Sequence, residues 1–364
     1  MIQSLNMNII QSYQEPVKTQ NSTNEFSESV ESSESAESSE SNLLNLLYLA
    51  KPVYGGWVTF TAHLSHKLKA PIHKITTRTE KNQRDFGYEC GYRNISLEDA
   101  LLLKNVIITA LDKHYWQYLP YFSSDTKIVI HDPTECKFSK KVGNPLVQST
   151  EKNEIPVLNK MKVITIRESV QEYLMNKFQI PSEFMPHPFF SYEIPKLKGL
   201  GYKCVSIARI DFDKNTDILL KANRLLTNKQ NHVYLFGAEN RLYVHHKLKD
   251  FDIDKYWKGR FPKNLSPVYD GKSILKDAKY MIDMSTIKED GGGTQYTFLE
   301  AIYHDCILIL HNEWISKGEL FQSGVNCLGV SNETELAELL TNEISDEDYS
   351  MILQNSKKIL DNHL

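Results

Sequence analysis

The sequence predicts an α/β fold with two consecutive domains, each built around a parallel sheet. Strand-length apolar runs alternate with helix-length stretches from residue 43 onward, which is typical of a parallel sheet with helices on both faces. A cluster of proline and glycine at residues 186–201 interrupts this alternation, and a second alternating series follows it. With 364 residues the chain is long enough for two domains of ordinary size. The carboxyl ends of the two sheets are expected to border a cleft, where open α/β sheets bind ligands.

Residues 1–42 differ in composition from everything that follows them. They carry seven glutamates and one lysine, a net charge of −6, whereas the remaining 41 basic and 39 acidic residues nearly cancel. From Ser27 to Ser41 the sequence is almost entirely serine and glutamate, with too little apolar surface to offset the entropy of ordering. We therefore predict a disordered, solvated tail in front of a folded part that is close to neutral.

The first domain is predicted over residues 43–190. Its strands are short apolar runs that are bounded by polar residues, proline or glycine. They are expected at Leu46–Ala50, Ile72–Thr77, Val106–Ala110, Lys127–Ile130 and Lys162–Ile166. Helices are expected between them, at Trp57–Leu68, Ser96–Leu103, His114–Tyr121 and Glu168–Phe178.

The second domain is predicted over residues 200–364, after a linker formed by the proline and glycine cluster. Its strands are expected at Cys204–Ala208, Val233–Phe236, Tyr280–Met284 and Cys306–Leu310. Its helices are expected at Thr216–Leu226, Leu242–Lys249, Thr294–Tyr303, Glu333–Leu340 and Asp346–Leu360.

The most informative stretch lies between a strand and a helix of the second domain and contains three consecutive glycines. Glycines let the backbone approach a ligand without a Cβ clash, and the following helix points its free N–H groups and positive dipole end at that ligand. A diphosphate fits such a place, and a carboxylate further along the helix is suited to ribose hydroxyls. The candidate donor-binding residues are Glu289, Gly291, Gly292, Gly293, Thr294 and Glu300.

Two cations follow the first strand of the second domain. Arg209 and Lys214 are expected in one loop between that strand and the next helix, at the same sheet edge as the glycines. An arginine binds phosphate in bidentate fashion, and a lysine acts as a point charge. The pair is therefore predicted to neutralise a leaving diphosphate.

Two further stretches mark the carboxyl edge of the first domain. The strand at Lys127–Ile130 ends in His131 and Asp132, where the histidine is predicted to contact the transferred group and the aspartate to orient it or act as a base. Gly55 and Gly56 open the first helix and are predicted to approach the acceptor or the donor phosphates.

Several other chemistries are not indicated. The chain has no GxxxxGK[ST] loop, no GxSxG elbow and no convincing metal motif, and His245-His246 lacks zinc-site companions. We therefore predict no metal and no cofactor. The absence of a signal pattern and of an apolar run near 20 residues predicts a cytoplasmic protein without a transmembrane segment, and its five cysteines are expected to be reduced and buried.

Taken together, these stretches resemble the family-four retaining glycosyltransferases of the GT-B fold, over roughly residues 43–364. The resemblance implies two Rossmann-like domains that face each other across a cleft. In that family an arginine and a lysine bind the donor diphosphate, a glutamate on the helix binds the ribose, and a histidine contacts the donor sugar. Those roles fall here on Arg209, Lys214, Glu300 and His131. The segment 295–300 is also similar to the corresponding stretch of the phage DNA α-glucosyltransferases.

One position departs from the family's pattern. The family usually has a Glu-x7-Glu pattern, and its first glutamate would fall at Gly292 here. Glu289 or Asp290 would take that place only in a rearranged loop.

The resemblance implies a retaining, metal-independent transfer of a sugar from a UDP-sugar or GDP-sugar to a hydroxyl acceptor. A glycan is the first expectation for the acceptor. DNA with hydroxymethylated bases is the alternative, because six basic residues in the first domain are suited to phosphates: Lys67, Lys69, Lys74, Arg78, Lys81 and Arg84. A third hypothesis is a sugar-nucleotide-binding protein without catalysis, which the missing glutamate supports. Donor hydrolysis separates this last hypothesis from the first two, and a salt-dependent duplex affinity separates DNA from a glycan.

Overall fold

The computed structural model describes residues 43–50, 55–75, 90–136, 155–194, 199–259, 274–286 and 292–364. Residues 42–364 form one compact unit. The predicted division at residues 190–200 into two separate domains stays a prediction. Other predicted features lie outside the described residues, namely the tail at 1–42, Glu289, Gly291, Arg78, Lys81 and Arg84.

The first sheet contains seven parallel strands within the described residues. Their bounds are β1 Asn45–Leu49, β2 Ile72–Ile75, β3 Arg93–Ile95, β4 Val106–Leu111, β5 Lys127–Ile130, β6 Lys162–Thr165 and β7 Ser182–Phe184. The order across the sheet is β3-β2-β1-β4-β5-β6-β7, which is the Rossmann order with one strand added. The order reverses between β1 and β4, and ligands bind outside the carboxyl ends of strands at such a point. The edge strands β3 and β7 were not predicted, because three residues are too few to show a period-two pattern.

We call the part of the chain that forms the first sheet the first half, and the part that forms the second sheet the second half. The α-helices of the first half are α1 Gly56–Leu68, α2 Leu97–Leu102 and α3 Glu168–Phe178. The side chain of Ser96 accepts a hydrogen bond from the N–H of Asp99 and so caps the start of α2. The predicted helix at 114–121 is instead a 3-10 helix at Trp116–Tyr121. Pro120 lies inside it, and a proline has no N–H to donate and clashes with the carbonyl four residues earlier in an α-helix.

The second sheet contains five parallel strands within the described residues. Their bounds are β8 Cys204–Ile207, β9 Val233–Phe236, β10 Tyr280–Asp283, β11 Ile307–His311 and β12 Leu328–Val330. The order is β12-β11-β10-β8-β9, so the reversal point lies between β8 and β10. The three-residue strand β12 was not predicted, for the same reason as the short strands of the first sheet.

The α-helices of the second half flank this sheet. They are α4 Thr216–Leu225, α5 Arg241–Lys247, α6 Tyr296–Tyr303, α7 Asn312–Ile315, α8 Glu333–Thr341 and α9 Asp346–Asp361. Side chains cap several of them, as Asn332 does for α8 and Ser345 does for α9. The one-turn helix α7 was not predicted.

Three hydrophobic clusters hold the described residues together. One cluster covers a face of the first sheet, a second covers a face of the other sheet, and the third is shared by the inner faces of both. Strand β1 shows how the pleat divides them, since Leu46 and Tyr48 belong to the shared cluster whereas Leu47 and Leu49 belong to the outer one. The shared cluster makes the junction of the two sheets part of the core.

All five cysteines lie in the described residues, and each is buried, as the composition predicted. Desolvation raises the pKa of Cys136, Cys204 and Cys327 to about 12, so these thiols are protonated at neutral pH. In the described part of the chain, every helix is too short or too polar to cross a bilayer.

Only some of the basic side chains that were predicted to meet phosphates are exposed. Lys67 and Lys69 are exposed at the end of α1. The prediction is wrong for Lys74, which is fully buried in β2 with its Nζ 5.9 Å from the centroid of the Tyr92 ring. Side chains leave a strand perpendicular to the sheet, and the sheet face on which Lys74 lies is covered at this position.

Candidate functional site

Arg209 and Lys214 lie in the loop that joins β8 to α4, as predicted. The guanidinium of Arg209 is largely solvated, with 62% of its side chain exposed, and it forms ion pairs with Asp211 at 2.9 Å and Asp213 at 3.2 Å. The side chain of Lys214 is only 11% exposed. The two cations therefore share a loop but have different surroundings.

Lys214 is bound to the end of β10, across the reversal point of the second sheet. Its Nζ donates to Ser285 Oγ at 2.6 Å and lies 3.8 Å from Asp283 Oδ2. The side-chain amide of Asn215 donates to the carbonyl of Met284 at 2.9 Å and to the hydroxyl of Thr286 at 2.8 Å. These bonds fix the loop at the carboxyl edge where a ligand of this sheet would lie.

The glycine loop runs into helix α6. Gly292 and Gly293 have φ values of 78° and 68°, a left-handed conformation that favours glycine. The carbonyl of Gly293 accepts a hydrogen bond from Trp314 Nε1 at 3.2 Å, so this part of the loop is held in place. Because α6 follows β10 in the chain, the N–H groups of its first turn lie at the carboxyl edge of the sheet, where the phosphate site is predicted.

The structure also explains why position 292 is a glycine. A Cβ on Gly292 would lie 2.9 Å from the carbonyl carbon and oxygen of Lys317. A glutamate, which the family's pattern places here, would require this backbone to move. The departure from the pattern therefore has a steric reason in this chain.

Glu300 lies in the second turn of α6 and is 9% exposed. Its carboxyl group makes no hydrogen bond or ion pair within the part of the chain that the structure describes. Burial raises the pKa of Glu300 to about 8, because desolvation disfavours the charged form. A buried carboxyl without a partner costs stability, and this cost is removed when a polar ligand reaches it.

Thr294 has a structural partner that its sequence position did not indicate. Its hydroxyl lies 3.4 Å from Nε2 of His363, and Nδ1 of His363 donates to the carbonyl of His187 at 2.8 Å. Since Nδ1 carries the proton, Nε2 accepts from the threonine. The glycine loop, the last residues of the chain and the segment between the sheets are thus connected by hydrogen bonds.

His131 lies at the carboxyl end of β5, as predicted, and is 7% exposed. Its Nε2 donates to the carbonyl of Thr109 at 2.8 Å, which leaves Nδ1 as an acceptor. The ring of Phe60 meets it edge-on with centroids 4.8 Å apart. Burial lowers the pKa of His131 to about 4, so the imidazole is neutral near pH 7.

Gly55 and Gly56 lie at the start of α1 and are exposed, and a Cβ on either would meet no atom within 4 Å. Glu135 connects this helix start with the His131 loop. One of its oxygens accepts from Trp57 Nε1 at 2.8 Å and the other from the N–H of His131 at 3.1 Å. The first sheet therefore brings Gly55, Gly56, His131 and Asp132 to one edge.

Arg167 was not predicted as a site residue. It lies two residues after the end of β6 and is the N-cap residue of α3, so it is at the same carboxyl edge as His131. Its aliphatic part packs against Gly293 of the other half, and its guanidinium lies beside the ring of Trp314. Its position after a predicted buried strand is a sequence signal for the sheet edge on which it lies, but not for its partners.

Two cavities in the described residues lie elsewhere. One of about 380 Å³ lies between the end of α1 and residues 185–188, and one of about 320 Å³ lies along α8. Neither is lined by a residue that was predicted for the donor site, and the larger one is lined by Lys67 of the basic segment. We assign the site from the polar groups at the two sheet edges, because ligands of parallel α/β sheets bind there.

Comparison with known proteins by sequence found no matching family model and no matching curated protein.

Comparison by structure found similar folds. The chain is similar to Anabaena Alr3699/HepE in complex with UDP and glucose, at 14% identity and a TM-score of 0.61, over 88% of this chain and 95% of that one. It is also similar to an α-glucosyltransferase in complex with UDP and a 13-mer DNA containing an HMU base, at 12% identity, a TM-score of 0.58 and the same shares of each chain. A glycosyltransferase from Rickettsia africae matches at 12% identity and a TM-score of 0.55, over 88% of this chain and 94% of that one. The chain has the GT-B fold, an α/β architecture of two Rossmann-like domains.

Proposed function

We propose that this protein is a glycosyltransferase that moves a sugar from a UDP-sugar or GDP-sugar to a hydroxyl acceptor. The observation that carries the proposal is the buried carboxyl of Glu300, which has no partner among the described residues and lies in the second turn of α6, the helix that follows a left-handed glycine pair in a GT-B fold. Structures with the same fold contain UDP with glucose, and UDP-glucose itself. Membership of the family-four retaining enzymes is part of this proposal.

The donor nucleotide binds to the second half. The diphosphate lies at the start of α6, beside the backbone N–H groups of Gly293 and Thr294, with Arg209 and Lys214 on the β8–α4 side. Glu300 accepts hydrogen bonds from the ribose hydroxyls. No cofactor takes part, and the nucleotide sugar is a substrate.

The transfer retains the anomeric configuration and needs no metal ion. The bond between the anomeric carbon and the leaving diphosphate breaks, and the acceptor oxygen bonds to that carbon on the same face. The proton of the acceptor hydroxyl passes to the leaving phosphate oxygen. Cations and the helix start stabilise the negative charge that develops on the diphosphate, which is the largest task in such a step.

His131 contacts the donor sugar from the first half. Because its Nε2 proton is used by Thr109, the neutral ring offers Nδ1 as an acceptor for a sugar hydroxyl. Asp132 follows it and orients the sugar or the acceptor. Gly55 and Gly56 leave open space in front of α1 for the acceptor or the donor phosphates.

The first candidate for the acceptor is a glycan or another small hydroxyl compound. The second candidate is DNA that contains hydroxymethylated bases. One observation favours it: the α-glucosyltransferase that was solved with DNA matches 88% of this chain. The exposed Lys67 and Lys69 are available to phosphates, whereas the buried Lys74 is not.

A protein that binds sugar nucleotides without catalysis is the remaining alternative. Its support was the glycine at position 292 in place of a glutamate. The Lys317 backbone gives that glycine a steric reason of its own, and donor turnover distinguishes this alternative from an enzyme.

Proton NMR of the donor and product tests the proposal. UDP-glucose and GDP-mannose are incubated with the protein and either a glycan or a hydroxymethylated duplex, with and without excess EDTA. We expect one donor to be consumed at an equal rate in both buffers and the product to keep the donor's anomeric configuration. His131→Ala is expected to lower turnover strongly and to leave nucleotide affinity nearly unchanged. An inverted product, or loss of all activity with EDTA, would contradict the mechanism.

A further inference from the structure

The loop between β8 and α4 carries too little positive charge to bind a diphosphate alone. Arg209 is paired with Asp211 and Asp213, and Lys214 lies 3.8 Å from Asp283. Two cations thus face three carboxylates in this loop and at the adjoining strand end. A further cation nearby would therefore strengthen the binding of a ligand with two or more negative charges.

Arg167 is a cation that lies against the glycine loop from the opposite half. A Cβ placed on Gly293 would be 3.8 Å from Cγ and 4.0 Å from Cδ of Arg167. The guanidinium carbon lies 5.9 Å from the centroid of the Trp314 ring, and this indole donates to the carbonyl of Gly293. The glycine loop and the arginine are therefore parts of one packed group.

The charge of Arg167 also acts on the first half of the site. It is among the causes that lower the pKa of His131 and of His187, after the larger effect of burial. Both histidines are buried. The guanidinium is therefore within electrostatic range of His131, the proposed sugar contact, and packs on the loop proposed for the phosphates.

We propose that Arg167, which packs against the glycine loop from the first half, binds the donor diphosphate. This inference rests on the proposed function and adds to it a cation that the resemblance did not assign. Donor binding then needs both halves of the molecule, because one side of the phosphate site comes from β6 and α3 and the other from α6.

The contact with Trp314 makes arginine the suitable residue. A guanidinium is planar, stacks on aromatic rings and presents two parallel N–H groups to a phosphate, whereas an ammonium group does neither. A lysine at position 167 is therefore expected to restore only part of the affinity.

The test compares UDP with uridine, and GDP with guanosine, in binding titrations followed by NMR. The variants are Arg167→Gln, Arg167→Lys and the control Lys177→Gln, which removes one exposed charge from the last turn of the same helix. For the nucleotide that the wild type prefers, we expect Arg167→Gln to weaken diphosphate binding about 10- to 100-fold, the range for a lost charge-assisted hydrogen bond. Uridine or guanosine binding and the control variant are expected to stay at wild-type values.

The possible failures are distinguishable. If the wild type binds a diphosphate and Arg167→Gln binds it equally well, the role of Arg167 is refuted and the proposed function stands. Equal losses of diphosphate and nucleoside binding would assign Arg167 a structural role and also refute the inference. If the wild type binds neither UDP nor GDP, the proposed function itself fails.

Discussion

At the residue scale, Glu300 combines a cost in stability with a proposed role in binding. Its pKa is raised from 4.5 to about 8, so between these pH values the unfolded chain releases a proton that the folded protein keeps. Stability is thus unaffected below about pH 4.5 and decreases as the pH rises toward 8. With about 1.4 kcal/mol per pKa unit and about 2.5 units between pH 4.5 and pH 7, the cost near pH 7 is on the order of 3 kcal/mol.

We therefore expect Glu300→Gln to stabilise the ligand-free protein at pH 7.5 and to have no effect near pH 4.5. The same change is expected to weaken UDP or GDP binding about tenfold, because an amide replaces one acceptor oxygen by a donor. Urea unfolding at both pH values and a nucleotide titration measure the two effects. The exposed Glu313→Gln is the control. A destabilised Glu300→Gln variant at pH 7.5 would show that the carboxyl has a partner.

The two cations of the β8–α4 loop are expected to respond differently to removal. Arg209 is largely solvated, so Arg209→Ala changes stability by less than about 1 kcal/mol. Lys214→Met leaves the buried Asp283 without its cation and costs about 2–4 kcal/mol. Both changes are expected to lower turnover, because each removes about 2–4 kcal/mol of transition-state stabilisation. Denaturant unfolding and donor turnover check this, and wild-type turnover in both variants would disprove the phosphate assignment.

Sequence reasoning identified side chains at strand ends but not their partners. It placed His131, Arg209 and Lys214 at carboxyl edges because the apolar runs before them ended there. Arg167 and His363 were missed, since their roles come from contacts with residues that are distant in sequence, Gly293 and Thr294. No local pattern contains such information.

At the scale of elements, the glycine loop before α6 offers a matched pair of substitutions. Both Gly292 and Gly293 have positive φ, so alanine at either costs about 1–2 kcal/mol. Alanine at 292 also meets the Lys317 backbone at 2.9 Å, whereas alanine at 293 finds Arg167 at an ordinary 3.8 Å. We expect Gly292→Ala to lower the free energy of unfolding by at least about 1 kcal/mol more than Gly293→Ala. Equal losses in urea unfolding would contradict the geometry of this loop.

The long strands and helices were predictable because they are periodic and buried on defined faces. The strands β1, β4, β8 and β10 and the helix α6 lie within two residues of their expected bounds at each end. The errors fall on short elements, namely the three-residue edge strands and the one-turn helix α7, which have no measurable period, and on the 3-10 helix that contains Pro120.

At the scale of the whole molecule, buried histidines lie at the junction of the two halves. The ring of Tyr296 from α6 stacks on His63 from α1 with centroids 4.9 Å apart, and its hydroxyl donates to the carbonyl of Pro188. His187 meets the same tyrosine edge-on at 5.1 Å. The sequence predicted a linker at this segment, and the structure shows that part of it is core, because both sheets contribute to a single hydrophobic cluster.

Three buried histidines, His131, His187 and His363, predict a loss of stability in mild acid. Burial lowers the pKa of His131 to about 4 and lowers that of His187 and His363 as well, so the unfolded chain binds protons first as the pH falls. Their contribution to the free energy of unfolding is complete above pH 6.5 and decreases as the pH falls toward 4. The raised pKa of Glu300 has the opposite effect, since it increases stability as the pH falls, but it is one group and the histidines are three.

We expect His187→Phe to reduce the loss of melting temperature between pH 6.5 and 4.5, because phenylalanine keeps the ring contact with Tyr296 and does not titrate. His246→Gln, at an exposed position on α5, is the control and should leave the pH dependence unchanged. If the melting temperature of His187→Phe depends on pH as strongly as that of the wild type, His187 does not cause this dependence.

The central claim is that the second half of the molecule binds a nucleoside diphosphate through cations, backbone N–H groups and Glu300, without a metal ion. Isothermal titration calorimetry with UDP and with GDP, in excess EDTA, tests it most directly on the wild type and on Glu300→Gln. We expect one of the two nucleotides to bind the wild type at a single site and to bind the variant more weakly. The absence of binding by both nucleotides, or equal binding to both proteins, would contradict the account.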